Sequence, residues 1–228
     1  MNKMFVSPLL AITSSGPVSA GNQELVHLRQ GDLDGACGPY CMVTALISLG
    51  LLSRGEAIHM DQWDGRTREG RFRDALLAFG ALTVEGTTGG DLLWLTDFFK
   101  STGLNAEFIS GSKKQLFQQV TDAIEQGKLA VVGVKWQGGG AHWLLAVGHQ
   151  GVAQVKDQEA ELQPTHLLCL DPGQETPKTS LWNAVLAIFN EDGSSQHLGR
   201  MSSEHWGLDG NETKCQLFGA VVLSIGKD

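Results

Sequence analysis

The chain has 228 residues, 42% of them hydrophobic and 18% charged, which suits one sizeable hydrophobic core and excludes a disordered polymer. A formal charge of −8 and a pI near 5.3 offer no basic field, so neither nucleic acid nor an acidic membrane surface is an expected partner. No apolar run reaches the ~18 residues of a membrane span.

The first stretch, MNKMFVSPLLAITSSGPVSAGNQ, admits two readings. One Lys, an apolar patch and Val18-Ser19-Ala20 loosely match a signal peptide with its cleavage site. Residues 5–13 followed by a Ser/Gly/Pro loop match a first strand instead. The expected location is cytoplasmic, with secretion or delivery into a host cell as the alternative.

From 37 to 52, Cys41, Ala45, Leu46, Leu49 and Leu52 recur at three- and four-residue intervals, which predicts a helix running through Gly50. Residues 71–82 (RFRDALLAFGAL), 91–102 (DLLWLTDFFKST) and 113–126 (KKQLFQQVTDAIEQ) predict three more, each introduced by Gly or Ser/Gly. After Gly127 the pattern turns to β-branched and apolar runs, at 129–136, 143–147, 152–155, 166–170 and 218–225. Hairpin turns are expected at Gly138-Gly139-Gly140 and at Gly148-His149-Gln150-Gly151. LWNAVLAIFN reads as a strand or a short helix, and EDGSSQHLGRMSSEH as loop. Helices at about 30–127 ahead of strands at about 128–228 predict one α+β domain over 1–228, its helix-rich half packed on a C-terminal antiparallel meander.

Four cysteines, Cys37, Cys41, Cys169 and Cys215, are too scattered for a disulfide framework. Cys37-x-x-x-Cys41 has no second close Cys or His pair to complete a zinc site. Cys37 instead lies where a glycine-bearing loop, QGDLDGA, enters an apolar helix. A thiol at a helix N-terminus faces unpaired N–H groups and the positive end of the helix dipole, which favours the thiolate. Gly38 leaves room near the backbone, and Pro39 suits a first turn that needs no N–H.

A nucleophile needs partners. His142, in GGGAHWLLAVG, opens an apolar strand and is the candidate base; Asp171, in HLLCLDPG, closes another and can orient the imidazole. Gln30, seven residues ahead of Cys37, can donate to a developing oxyanion together with the Cys37 N–H. Asp157 is the rival acid, and Cys41 the rival nucleophile. Trp136, Trp143, Trp94 and Phe98 read as core, with Trp143, beside His142, also a candidate cover for the imidazole, while His27, His59, His149, His166, His197 and His205 show no ligand spacing and read as structural or exposed. Asp32 and Asp34 place acidic charge near the thiol.

CGPYCMVTAL resembles the nucleophile helix of papain-like cysteine peptidases, in particular the bacterial branch related to the double-glycine leader peptidases of bacteriocin transporters. AHWLLAVG is similar to that branch's histidine strand and LLCLDPG to its Asp-Pro strand end, with the order Gln, Cys, His, Asp over residues 30–173. The resemblance implies acyl transfer at an amide through a thioester, on a peptide or protein substrate and without metal or organic cofactor. Three features depart from the pattern. Tyr40 replaces a small residue, Gln30 is one residue farther from Cys37, and KDQEAELQP is apparently inserted between His142 and Asp171.

Peptide hydrolysis, glutamine deamidation and acyl transfer use the same groups, and an inactive binding module of the same fold is the non-enzymatic alternative. The segments 58–70 and 174–178 are expected to border the cleft, with Arg66 and Arg68 placed to meet a substrate carboxylate.

Overall fold

The computed structural model describes residues 2–31, 35–78, 86–156, 159–196 and 198–226. Among these described residues, five α-helices lie in the first part of the chain: α1 Cys37–Ser48, α2 Arg54–Ile58, α3 Arg68–Ala78, α4 Gly89–Thr96 and α5 Lys113–Glu125. The first helix ends sooner than its apolar spacing predicts, because Gly50 takes φ 71° and stops it with Leu49 as C-cap. The 91–102 prediction divides into α4 and a 3₁₀ turn, Asp97–Thr102. Helix α2, held by a Ser53/Glu56 capping box, lies in a stretch for which no element was expected, and the 3₁₀ turn Met60–Gln62 falls in the 58–70 segment.

Ten strands follow the chain as β1 Asn2–Val6, β2 Leu10–Thr13, β3 Gly16–Ser19, β4 Leu104–Ile109, β5 Leu129–Trp136, β6 Ala141–Lys156, β7 Glu159–Leu170, β8 Ala184–Ala187, β9 Ser203–Gly207 and β10 Glu212–Ile225. Antiparallel pairing runs β5–β6, β6–β7, β7–β8, β8–β9, β9–β10 and back from β10 to β5. The expected meander is thus closed into a six-stranded ring. It also recruits two strands from the helical half, β1 onto β6 and β4 onto β10. The N-terminal residues form two strands rather than the single one expected over 5–13, since Ser7 to Leu10 makes a turn.

Two turn expectations fare differently. Gly138 to Gly140 makes the predicted β5–β6 hairpin, with Gly139 and Gly140 at φ 96° and 81°. The GHQG segment does not turn; β6 continues through it. Its glycines serve close approach, for a Cβ at Gly148 would lie 2.5 Å from the Phe5 carbonyl oxygen and one at Gly151 1.9 Å from that of Gln163. KDQEAELQP is mainly the extension of this hairpin, with Lys156 paired to Glu159. Asp157 lies outside the described residues, as do Asp32, Asp34 and His197.

Side-chain alternation builds two cores on the ring. Val131, Trp143, Leu145, Val147, Val221 and Leu223 join α1, α3 and α4 in one. Ala130, Val132, Leu144, Ala146, Leu186 and Val222 join α5 in the other, which draws on β5, β6, β7, β8 and β10. The architecture is therefore α+β, with the Cys37 helix lying against the antiparallel sheet as expected. No helix among the described residues is long and apolar enough to cross a membrane. Leu46 on α1 is fully buried in the first core, so Leu46→Ala is expected to cost about 2–5 kcal/mol of unfolding free energy, measured by urea denaturation.

Candidate functional site

The inward row of β6 that holds Leu144 and Ala146 begins with His142, and that of β7 which holds Leu167 and Cys169 runs out to Asp171. Period-two alternation thus aims both side chains at one end of the ring. There His142 Nε2 lies 2.7 Å from Asp171 Oδ1. The Cys37 side chain acts on the same imidazole, raising its proton affinity through hydrogen bonding and charge. Sequence reasoning placed these three together, and the structure gathers them at one end of the ring.

Cys37 is the first residue of α1 and is 6% exposed. The N-cap residue, Ala36, carries no side-chain acceptor to occupy the first-turn N–H groups. Gly38 is closely packed on the side where a side chain would stand. A Cβ there would lie 2.2 Å from Thr87 Oγ1 and 3.0 Å from Trp143, so glycine lets the Thr87 segment and the Trp143 indole close on the helix start. Cys41 Sγ donates to the Trp143 carbonyl at 3.3 Å, 1% exposed, and burial pushes its thiol well up. It belongs to the core. Trp143 likewise faces the core, with Nε1 donating to the Thr87 carbonyl at 2.8 Å. The ring stacked on His142 is Trp136, at 5.7 Å between centroids and 27° between planes.

Asp171 is buried and collects donors on both oxygens. Oδ1 accepts from His142 and from the Gly173 N–H at 2.7 Å, and Oδ2 accepts from His205 Nε2 at 2.9 Å. Burial acts to raise its pKa, but the hydrogen bonds and charges of His142 and His205 prevail and hold the carboxyl well below the usual range. Its backbone is fixed as well. Asn183 accepts from the Asp171 N–H at 2.6 Å and donates to its carbonyl at 2.9 Å, while His27 Nε2 donates to the same carbonyl.

His205 and Asn183 escape sequence reasoning, and Trp136 was read as plain core. His205 lies in a polar stretch that reads as loop but forms β9, where Ser203 and His205 are buried and alternate with less buried neighbours. That alternation in SEHW was the available signal. The His205 ring also meets Trp136 edge-on, at 5.4 Å and 78°.

Gln30 is tied to this loop by its backbone, whose N–H donates to the Pro172 carbonyl at 2.9 Å. Its buried Oε1 has no hydrogen-bond partner among the described residues. Arg66 pairs with Asp64, and Arg68 with Glu69, its guanidinium over the Phe99 ring.

Burial alone would lower the His142 pKa, yet hydrogen bonds to Asp171 and Cys37 and their charges raise it from 6.5 to about 10. The group binds its proton more tightly folded than unfolded. Its stabilisation is complete below about pH 6.5 and is lost as pH rises through about 10. Asp171 acts oppositely, stabilising above the ordinary carboxylate pKa and losing this as pH falls through its depressed value.

No protein-family model matches the chain, and no curated protein matches it. Among solved structures it is similar to the crystal structure of UfSP from C. elegans, at 13% identity and a TM-score of 0.47, over 99% of this chain and 35% of that one. The chain thus spans about a third of that protein's length. A likeness of this depth says nothing of the site.

Urea midpoints are expected to fall between about pH 6.5 and 10 in the wild type and to stay flatter in His142→Ala. His205→Phe removes the donor to Asp171 Oδ2, at about 1–3 kcal/mol, and is expected to move the acid-side loss of stability to higher pH. His205→Gln, which can donate again, is expected to restore part of that shift.

Proposed function

We propose that this chain is a papain-like cysteine hydrolase that cleaves a peptide or protein amide, with Cys37 as nucleophile, His142 as acid and base, Asp171 as orienting carboxylate and Gln30 as oxyanion donor. The observation that carries the reading is the position of His142, held 2.7 Å from the buried Asp171 and near enough to Cys37 for that thiol to raise its pKa. A histidine raised to about 10 is protonated at neutral pH, the state in which it can stand beside a thiolate and later protonate an amine.

The Cys37 thiolate adds to the amide carbon, and the carbonyl electrons move onto oxygen. The backbone N–H of Cys37 stabilises that oxyanion, joined by an Nε2–H of the Gln30 carboxamide. Collapse forms the thioester and breaks the C–N bond as His142 gives its proton to the leaving amine. Neutral His142 then takes a proton from water, which attacks the thioester; the acid leaves, and the thiolate–imidazolium pair is restored. Asp171 stays ionised throughout and keeps the imidazole turned toward the sulfur.

Exposure of an unfolded-protein mixture to the enzyme is expected to yield new N-termini by mass spectrometry, none with Cys37→Ala, and about 10²–10⁴-fold fewer per unit time with His142→Ala. Iodoacetamide is expected to label Cys37 first, since burial pushes up the thiols of Cys41 and Cys169 and takes Cys215 to about 12. Ammonia release without new N-termini would assign the same groups to glutamine deamidation. Cys37 labelling that is slow and indifferent to His142→Ala would remove the catalytic reading.

A further inference from the structure

On β5, Lys135 stands between Val134, which pairs with His142, and Trp136, whose ring stacks on that imidazole. Alternation turns the exposed Lys135 side chain the other way, onto the outer row with Val131 and Gly133, the face on which Trp143 and α1 pack. Its cross-strand neighbours there are Ala141 on β6 and Gln216 on β10, both exposed and uncharged. Lys214, next on the β10 row, stands opposite Glu204 instead.

A row of ring contacts leads from this cation to the nucleophile. Lys135 Nζ lies over the Phe218 ring, 5.5 Å from its centroid. Phe218 covers Gly133, where a Cβ would stand 2.4 Å from the ring, and meets Trp143 edge-on at 5.2 Å and 68°. Trp143 in turn closes on Gly38, the residue after Cys37. Two cations beside the start of α1, Arg29 and Arg73, are paired with Glu175 and Asp74, whereas among the described residues no carboxylate pairs with Lys135. In a chain of formal charge −8, an exposed cation held over an aromatic ring locally inverts the protein's field and draws anions.

We infer that Lys135 and Phe218 form a subsite beside Cys37 for an acidic side chain of the substrate, the ring taking its methylenes and the ammonium its carboxylate. The inference rests on the hydrolase reading for Cys37 as the reacting atom and adds the substrate class, a peptide with Asp or Glu near the cleaved amide. A basic side chain would meet a like charge here, and a neutral one would gain the ring alone. A terminal carboxylate offers the same charge without methylenes to lie on Phe218. Because the subsite is open to water, it is worth an exposed ion pair, a preference of about two- to fivefold and not an absolute filter.

The test uses the full chain and iodoacetylated probes, each with and without a glycine spacer: Glu-amide, its isostere Gln-amide, Lys-amide, and Gln with a free α-carboxylate. The reading is the labelling rate of Cys37 by peptide mass spectrometry. Within each variant the Glu-to-Gln rate ratio cancels any change in thiol reactivity or folding. With the spacer that reaches the subsite, this ratio is expected to fall about two- to fivefold in Lys135→Gln and further in Lys135→Glu, which is expected to favour Lys-amide instead. The difference between wild type and Lys135→Gln is expected to fade in about 1 M salt, where charges are screened within about 3 Å. A ratio that neither substitution lowers, with or without the spacer, overturns the subsite. A dependence on Lys135 shown only by the α-carboxylate probe overturns the side-chain assignment in favour of a chain terminus. The hydrolase reading is judged separately, by the effect of His142→Ala on the Gln-amide rate, so the two can fail independently.

Discussion

A single buried carboxylate organises the site. An ionised Asp171 out of water would cost several kcal/mol if unpaired, and the chain meets that cost with donors on both oxygens and a backbone clamped by Asn183 and His27. The same bonds that make the charge tolerable fix its direction. His142 is held at 2.7 Å, its ring plane backed by Trp136, near a thiol carried by a helix of the opposite half. Without that anchor, a histidine following three glycines would sample many rotamers.

Closure of the strands into a ring delivers these groups. His142 opens β6, Asp171 follows β7 and His205 lies on β9, three strands that a flat meander would spread apart. In the ring their inward rows converge at one end, and Trp136 from β5 touches both histidines. Helix α1 docks on the outward row of β6, through contacts such as Cys41 on the Trp143 carbonyl, which sets the height of Cys37 against the ring. Core packing and site geometry are therefore one problem: a shift of α1 along β6 would break the thiol–imidazole contact before it exposed much apolar surface.

What could be read from the chain followed from local chemistry. The helix start at Cys37, the strand start at His142 and the Asp-Pro-Gly strand end each carry their own punctuation, and the long strand at 129–136 declares itself by eight apolar-rich residues in a row. Long-range geometry left no such mark. His205 is recruited through pairing with Thr213 across a short hairpin and with Leu186 on a strand set apart from it by a long loop, so its role was hidden in a polar stretch. Gly148 and Gly151 were misread because glycine usually signals a turn; here it admits neighbouring backbone, a need created by strands 140 residues away and by a local bulge. Likewise β1 and β4 are short and weakly patterned, and only the presence of β6 and β10 makes them strands.

The length of the β6–β7 hairpin has a consequence for how such chains are compared. His142 and Asp171 are 29 residues apart, yet they stand at the same end of a ladder paired from Leu145 opposite Leu170 to Lys156 opposite Glu159. Each further pair of residues would push the far tip outward by about 3.4 Å and leave the base and acid where they are. The gap between them measures the reach of a hairpin, not the distance between the imidazole and the carboxylate. Alignments that demand a fixed gap will therefore miss relatives of this chain, whereas the cross-strand register at the near end is the quantity that chemistry holds constant.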